Sequence, residues 1–357
     1  MSKKVFIDLT HPFSAEIPRW PYFVKPVIDS MHTMAKGGVL TQRIDCVQHT
    51  GTHADAPRHV MEREFDGKRA RYTHEMPVDA YTGDAVCLEI KIHRWGLILP
   101  EHLEDACKRA NIKPEELKGM VVCLNTGMHR KFDDSKEYYH YSCGTGVEAG
   151  RWFVKHQVKC VAMDMQALDH PLHTAMGKNG PPQMNLRGIS GKPITEEYAE
   201  QFGEEAYAEF EKAAYIKMHG QDAYDAKFGD LEAIGCEGTW EPCHKQMLGH
   251  GIVGVENLGG DLDKVSGKRF RFYCFPIRWY TVTQNWRYER MTRGRKREHY
   301  QWNLDIVGEE SVIAEAEVVS CTLTALTAAG LVLTSASGEI ALVEPSSGRR
   351  LKSSQAG

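Results

Sequence analysis

The sequence has no CxxC pair, no long apolar run, no internal repeat and almost no net charge, and each absence removes a class of function. Its ten cysteines are scattered singly, which fits reduced thiols better than a disulfide framework. No segment approaches the roughly 20 apolar residues that a transmembrane helix needs. The opening MSKKVFIDLTHPF turns polar and proline-bearing before an apolar stretch forms, so it does not read as a secretory leader. With 44 basic against 48 acidic residues, a formal charge of -4 gives no global attraction to phosphate backbones or anionic membranes. The expectation is a cytoplasmic protein with neither a nucleic-acid nor a membrane partner.

What is present is ample core material: 42% of 357 residues are hydrophobic, enough to fold without staples. Val5 to Leu9 reads as a short strand. Pro12, Pro18, Pro21 and Pro26 then hold an extended loop carrying Phe13, Trp20, Tyr22 and Phe23, aromatics able to wall a substrate pocket. Residues 85–92 and 120–124 read as strands, with helices starting near Pro100 and Pro114, where proline suits a first turn. A helix over 146–157 and a strand over 159–163 follow, and the alternation predicts a mixed α/β domain. From Leu172 to Trp240 the texture becomes Gly/Pro-rich and then charged and helical, which predicts an inserted helical lobe. The core pattern resumes at Glu241, residues 309–344 read as strands, and 346–357 is expected to be a flexible tail. The organisation expected is one catalytic domain over 1–345, interrupted by the insertion 172–240.

The chemistry concentrates in HTGTHADAPRH, where His49, His53, Asp55 and His59 fall within eleven residues. Imidazole and carboxylate donors suit Zn, Mn or Fe, and the lack of cysteine argues against a structural thiolate site. A helix is disfavoured by Thr50-Gly51-Thr52. A straight strand would separate His49 from Asp55 by roughly 20 Å at about 3.3 Å per residue, too far for one ion. The chain must therefore bend, and Gly51 and Pro57 supply the places to do it.

This string resembles the His-x-Gly-Thr-His-x-Asp-x-Pro-x-His signature of the cyclase-like metal hydrolases, which include bacterial kynurenine formamidase and isatin hydrolase. Further similarity lies in DLTHPFSAEIPRWP, NTG at 125–127, VEAGRWFVKHQVKCVAMD at 147–164 and PCHKQMLGHGIVGVENL at 242–258. The resemblance implies a cyclase-like swivelling β/β/α domain with a mixed sheet. It implies His49, His53 and Asp55 as ligands of a first divalent ion, Zn or Mn, with Asp55 bridging to a second held by His244 and Glu256. It further implies His59 as general acid/base and Trp20 as a pocket residue; Phe13, on the same loop, joins Trp20 as a substrate-binding candidate. The expected reaction is hydrolysis of a C–N bond in a small amide, formamide, lactam or cyclic imide by metal-activated water. Dehydration, lactone hydrolysis and a non-catalytic metal-binding role remain alternatives, and a homodimer or homotetramer is expected. Two departures bear on substrate: Ala167 stands where relatives often carry serine, and the lobe 172–240 replaces a short connection.

Three other features read as decoys. Gly249-His-Gly251-Ile-Val-Gly254 has the letters of a dinucleotide fingerprint, but a helix-like stretch precedes it and a strand-like one follows, the reverse of what that motif needs. Gly249 is expected to cap the helix instead. The basic run 293–297, flanked by Trp286, Tyr288, Tyr300 and Trp302, reads as a solvated loop or oligomer contact. Cys243 reads as a small buried thiol.

Overall fold

The computed structural model describes residues 5–178 and 186–276, and the backbone of the short strands 284–286, 298–300, 332–335 and 340–343. Contacts separate the chain into two compact units, Met1–Trp279 and Tyr280–Gly357. In the second unit Gln284–Trp286 pairs with Glu298–Tyr300, and Val332–Ser335 with Ile340–Val343, both antiparallel. The expectations for 293–297 and 346–357 fall outside the described residues.

The first unit is built on a six-stranded mixed sheet in the order Arg269–Phe272, Gly83–Glu89, Val121–Asn125, Cys160–Met163, Val253–Glu256, His53–Asp55. The four central strands are parallel and the two edges antiparallel. Near-continuous apolar runs such as VVCLN and CVAM suit this position, because strands covered on both faces need no polar alternation. The period of two still sorts the side chains. Val86, Leu88, Val122, Leu124, Val161 and Met163 face one core with Leu103, Phe153 and Met247, while Ala85, Cys87, Cys123, Cys160 and Ala162 face a second core with Tyr81 and Leu262. The cysteines 87, 123 and 160 are thus buried filler, and all described cysteines are free thiols.

Most expected elements appear: the helix Pro100–Arg109 with proline in its first turn, the helix Val147–Lys155, and the strands after each. Pro114 opens only a 3-10 turn, Pro114–Leu117. The expected strand at Val5–Leu9 is not one; the carbonyls of Asp8 and Leu9 instead accept from Asp261 and Gly259 at 2.8 Å each. A hairpin of Val27–His32 and Thr41–Asp45 follows the aromatic loop and went unforeseen, since it is largely exposed on both faces and carries no apolar alternation.

The insertion is helical as expected, with helices Ile194–Phe202, Glu204–Ala208, Lys212–His219 and Gln221–Ala233. It is not a loosely attached lobe. Ile194, Tyr198 and Phe210 join the first core beside Trp95, and Tyr224, Phe228 and Leu231 cover Val147. Among the described residues no helix is long and apolar enough to cross a membrane.

Candidate metal centre

The edge strand His53–Asp55 runs antiparallel to Val253–Glu256, with His53 opposite Glu256 and Asp55 opposite Gly254. Residues two apart share a face of a strand, so His53 and Asp55 point the same way. The preceding bend is where the sequence required it. Gly51 has φ 70°, and a side chain there would meet Ile17 at 2.7 Å. The bend brings His49 back so that its Nδ1 lies 2.9 Å from Asp55 Oδ1. After the strand, Pro57 opens the 3-10 turn Pro57–His59, which turns His59 toward His49 at a ring separation of 4.0 Å.

The fully buried helix Pro242–Gly249 brings His244 from the other side. Its Nε2 is 2.9 Å from Glu256 Oε1 and 3.9 Å from Asp55 Oδ2. Three histidines from the same bend, His49, His53 and His59, and two distant residues, His244 and Glu256, therefore surround the Asp55 carboxylate. Potential donor atoms fall into two groups that share Asp55: His49 with Asp55 and His59, and His53 with Asp55 and Glu256. This differs from the grouping implied by resemblance, where His49 and His53 serve the same ion and His59 stays off the metal.

The outer contacts set the tautomers. His53 Nδ1 lies 2.8 Å from the Gly51 carbonyl and His244 Nδ1 lies 2.7 Å from Asp169 Oδ2, so each Nδ1 donates outward and, with an ion in place, each Nε2 would be the nitrogen free to face it. Asp169 also accepts from the backbone amides of Cys243 and His244. Glu256 accepts from the Leu168 amide at 2.8 Å. Nothing local in the sequence marks Asp169, two residues after Ala167, as an orienting residue.

Both Asp55 oxygens and His53 Nε2 are buried without a well-formed hydrogen bond. A buried carboxylate so placed is costly unless a cation completes it. Nitrogen and oxygen donors with no thiolate suit a divalent Zn, Mn or Fe ion, so the residues fit the metal that the sequence implied. The charges are mutually adapted. Burial works against ionising Asp55, but His53, His59 and His49 outweigh it and hold its pKa well below the usual range. Burial likewise opposes a charge on His53, yet Asp55 and Glu256 raise it to about 9. His59 goes the other way: burial, aided by His49 and His244, pushes it down to about 4 against the pull of Asp55.

Beside this cluster opens a cavity of about 180 Å³, room for a small molecule rather than a folded polypeptide. His49, His53, His59, His244 and Glu256 line one side. Pro18, Trp20, Phe23 and Tyr139 contribute apolar surface, and Arg19, Gln166, Ala167, Glu241 and Asn257 are among the other lining residues. Trp20 thus stands where a substrate residue was expected. Phe13 does not line the cavity; the residue is 43% exposed and its ring edge lies near Gly51. Gln166, Tyr139 and Glu241 were not foreseen, and only Gln166, next to the missing serine at 167, lay near a sequence signal. The Cys243 thiol is fully buried with its pKa raised well above the ordinary value by desolvation, so it is not a poised nucleophile. The dinucleotide decoy fails as expected, with helix before and strand after. It is Gly251, at φ 76°, rather than Gly249, that takes the left-handed position past the helix.

Comparison with known proteins gives two kinds of likeness. The chain is similar to a histidine–tRNA ligase, chloroplastic/mitochondrial, of Arabidopsis thaliana, 47% identical over 114 residues, which cover 30% of this chain and 24% of that one. The chain thus spans about a quarter of the length of that relative. Among solved structures it is similar to isatin hydrolase A from Labrenzia aggregata, bound to benzyl benzoate, at 15% identity and TM-score 0.45, covering 72% of this chain and 81% of that one. It is also similar to isatin hydrolase A from Ralstonia solanacearum, at 16% identity and TM-score 0.44, covering 73% and 81%. The family model described as Cyclase, putative cyclase, matches residues 7–170, the stretch holding His49, His53, Asp55 and His59. Residues 7–170 are thus similar to the putative cyclase family, the likeness that the HTGTHADAPRH string carries.

Proposed function

We propose that this chain is a metal-dependent hydrolase that cleaves a C–N bond in a small aromatic or heterocyclic amide, formamide, lactam or cyclic imide. The observation that supports it most is the Asp55 carboxylate, buried against the His49 imidazole, shared by two donor triads and ringed by five residues that line one cavity. His49, His53, Asp55, His244 and Glu256 would hold the ion or ions, Zn or Mn by donor chemistry. When bound, a divalent ion polarises a carbonyl and makes water a usable nucleophile near neutral pH.

The chain supplies the rest. Trp20 and Phe23 offer ring surface to a flat substrate and keep bulk water off its faces. The His59 imidazole, open to the cavity, takes up the proton released as water adds to the carbonyl carbon. Asp169 fixes the His244 ring through Nδ1, so that its other nitrogen stays aimed at the site. A second reading is favoured by the triad of His49, Asp55 and His59: there His59 is itself a ligand, and proton transfer falls to another wall residue. The ligase similarity covers only 24% of that relative, too little to carry a ligase's activity to this chain.

The test is turnover by the purified full chain of a panel of aromatic amides, formamides, lactams, cyclic imides and lactones, before and after chelation and metal restoration. Metal-dependent cleavage of a C–N substrate supports the reading. Turnover of lactones alone would move the reaction to the ester class, and no turnover of any member would overturn a hydrolase.

A further inference from the structure

Glu241 occupies the N-cap of the helix that carries His244, where a carboxylate ordinarily accepts from the first free amides. Here it makes no such bond. Asp169 takes that task, accepting from the amides of Cys243 and His244 at 2.8 and 3.0 Å. The Glu241 backbone is left-handed, φ 49° and ψ 49°, a conformation that a residue with a side chain adopts only when its surroundings enforce it. They do so here. Its amide donates to the His173 carbonyl at 2.7 Å, its carbonyl accepts from the Lys245 amide at 3.0 Å, and Pro242 follows, which disfavours the right-handed alternative.

The neighbouring cation is also engaged elsewhere, since Lys245 Nζ is bound to the carbonyls of Glu237 and Trp240. Among the described residues no hydrogen bond or ion pair reaches the Glu241 carboxyl, yet it lines the same cavity as His59, His244 and Glu256. A carboxyl held in strained backbone, relieved of capping and pairing, and turned to the cavity is placed for a ligand rather than for stability. Burial raises its pKa to about 7, with Asp169 and Glu256 adding to the rise against His244 and Lys245, so the group can hold a proton near neutrality.

We propose that Glu241 is a second proton-transfer residue of this site, donating to the departing nitrogen while His59 serves the attacking water; this rests on the hydrolase reading. Water adds to the carbonyl carbon and loses a proton to His59. The C–N bond then breaks, its electron pair stays on nitrogen, and the Glu241 proton forms the new N–H bond. The proton on His59 returns through solvent to the Glu241 carboxylate, so the net change is amide plus water to acid plus amine.

The experiment compares the metal-loaded full chain with Glu241→Gln and Glu241→Ala on substrates sharing one acyl group, with leaving groups running from an activated aryl ester through an anilide to an alkyl amide. A general acid matters more as the leaving group becomes more basic, so the loss in kcat should grow along the series to on the order of 10²- to 10⁴-fold at the alkyl amide. Added formate should recover part of the loss in Glu241→Ala and none in Glu241→Gln. An equal loss across the series with metal retained, or a change confined to KM, overturns the assignment. If a variant loses its metal, Glu241→Asp replaces it, with the same rising trend expected at smaller amplitude and a flat series counting against. A wild type inactive on the whole series fails the hydrolase reading itself and the proposal with it.

Discussion

His53 lies directly across the antiparallel strand pair from Glu256, and their side chains meet with Nε2 3.4 Å from Oε2. Strand register, rather than a flexible loop, therefore sets one edge of the second donor triad. Glu256→Ala should lower the bound metal while leaving His49, His53 and Asp55 able to hold an ion. Metal analysis after dialysis reads this directly: a partial loss is expected, and an unchanged content would remove Glu256 from the ligand set.

Asp169 acts through His244, whose Nδ1 it accepts at 2.7 Å, and through the two helix amides that it caps. Asp169→Asn weakens that acceptor and lets the imidazole turn. Loss of such an outer partner ordinarily costs about 10- to 100-fold in metal affinity, and that fall is expected in a competitive chelator titration. An affinity equal to wild type would make Asp169 a helix cap alone.

His59→Ala separates its two readings. As a proton carrier, its removal should leave metal content intact and reduce kcat by roughly 10²- to 10⁴-fold. Loss of metal together with activity would instead make it a ligand.

The junction of the helical insertion should be acid-sensitive. His170 and His173 are fully buried, and desolvation pushes their pKa values down to about 3 and about 4. In the unfolded chain each takes a proton near pH 6.5. Between about pH 6.5 and about 4 the unfolded state thus binds more protons than the folded one, so stability falls as pH falls through that window. The variant His170→Gln/His173→Gln, lacking both groups, should show a shallower acid-side decline of Tm than wild type. Parallel declines would contradict this, since any contribution from acid release of metal is common to both proteins.

The sheet and the first half of the site were legible because their signals are local. Apolar runs punctuated by proline and glycine mark buried strands and helix starts, and His49 to His59 sit on one bend that Gly51 makes necessary. His244 and Glu256 came only through resemblance, since nothing local tells that the strand Val253–Glu256 pairs with His53–Asp55 across some 200 residues. Glu241 was illegible for the same reason, because its meaning depends on Asp169 having taken the capping role from another strand end. The insertion was legible as helix but not in its packing. Charged periodic segments suggest a solvated helical lobe, yet Tyr198 and Phe210 enclose His170 and extend the core around Trp95. Removing residues 175–238 would strip these side chains from the core and is not expected to leave an intact remainder. The similarity to histidine–tRNA ligases is a finding that the metal-site account does not explain.

Asp55 joins both donor triads, and the metal content of Asp55→Ala reads that sharing. The variant removes the one carboxylate common to His49, His59, His53 and Glu256, whereas Glu256→Ala removes a ligand from only one group. Purified after metal loading and dialysis, Asp55→Ala should remain folded, retain no stoichiometric ion and lack hydrolytic activity. Full metal occupancy in a folded Asp55→Ala protein would contradict the account.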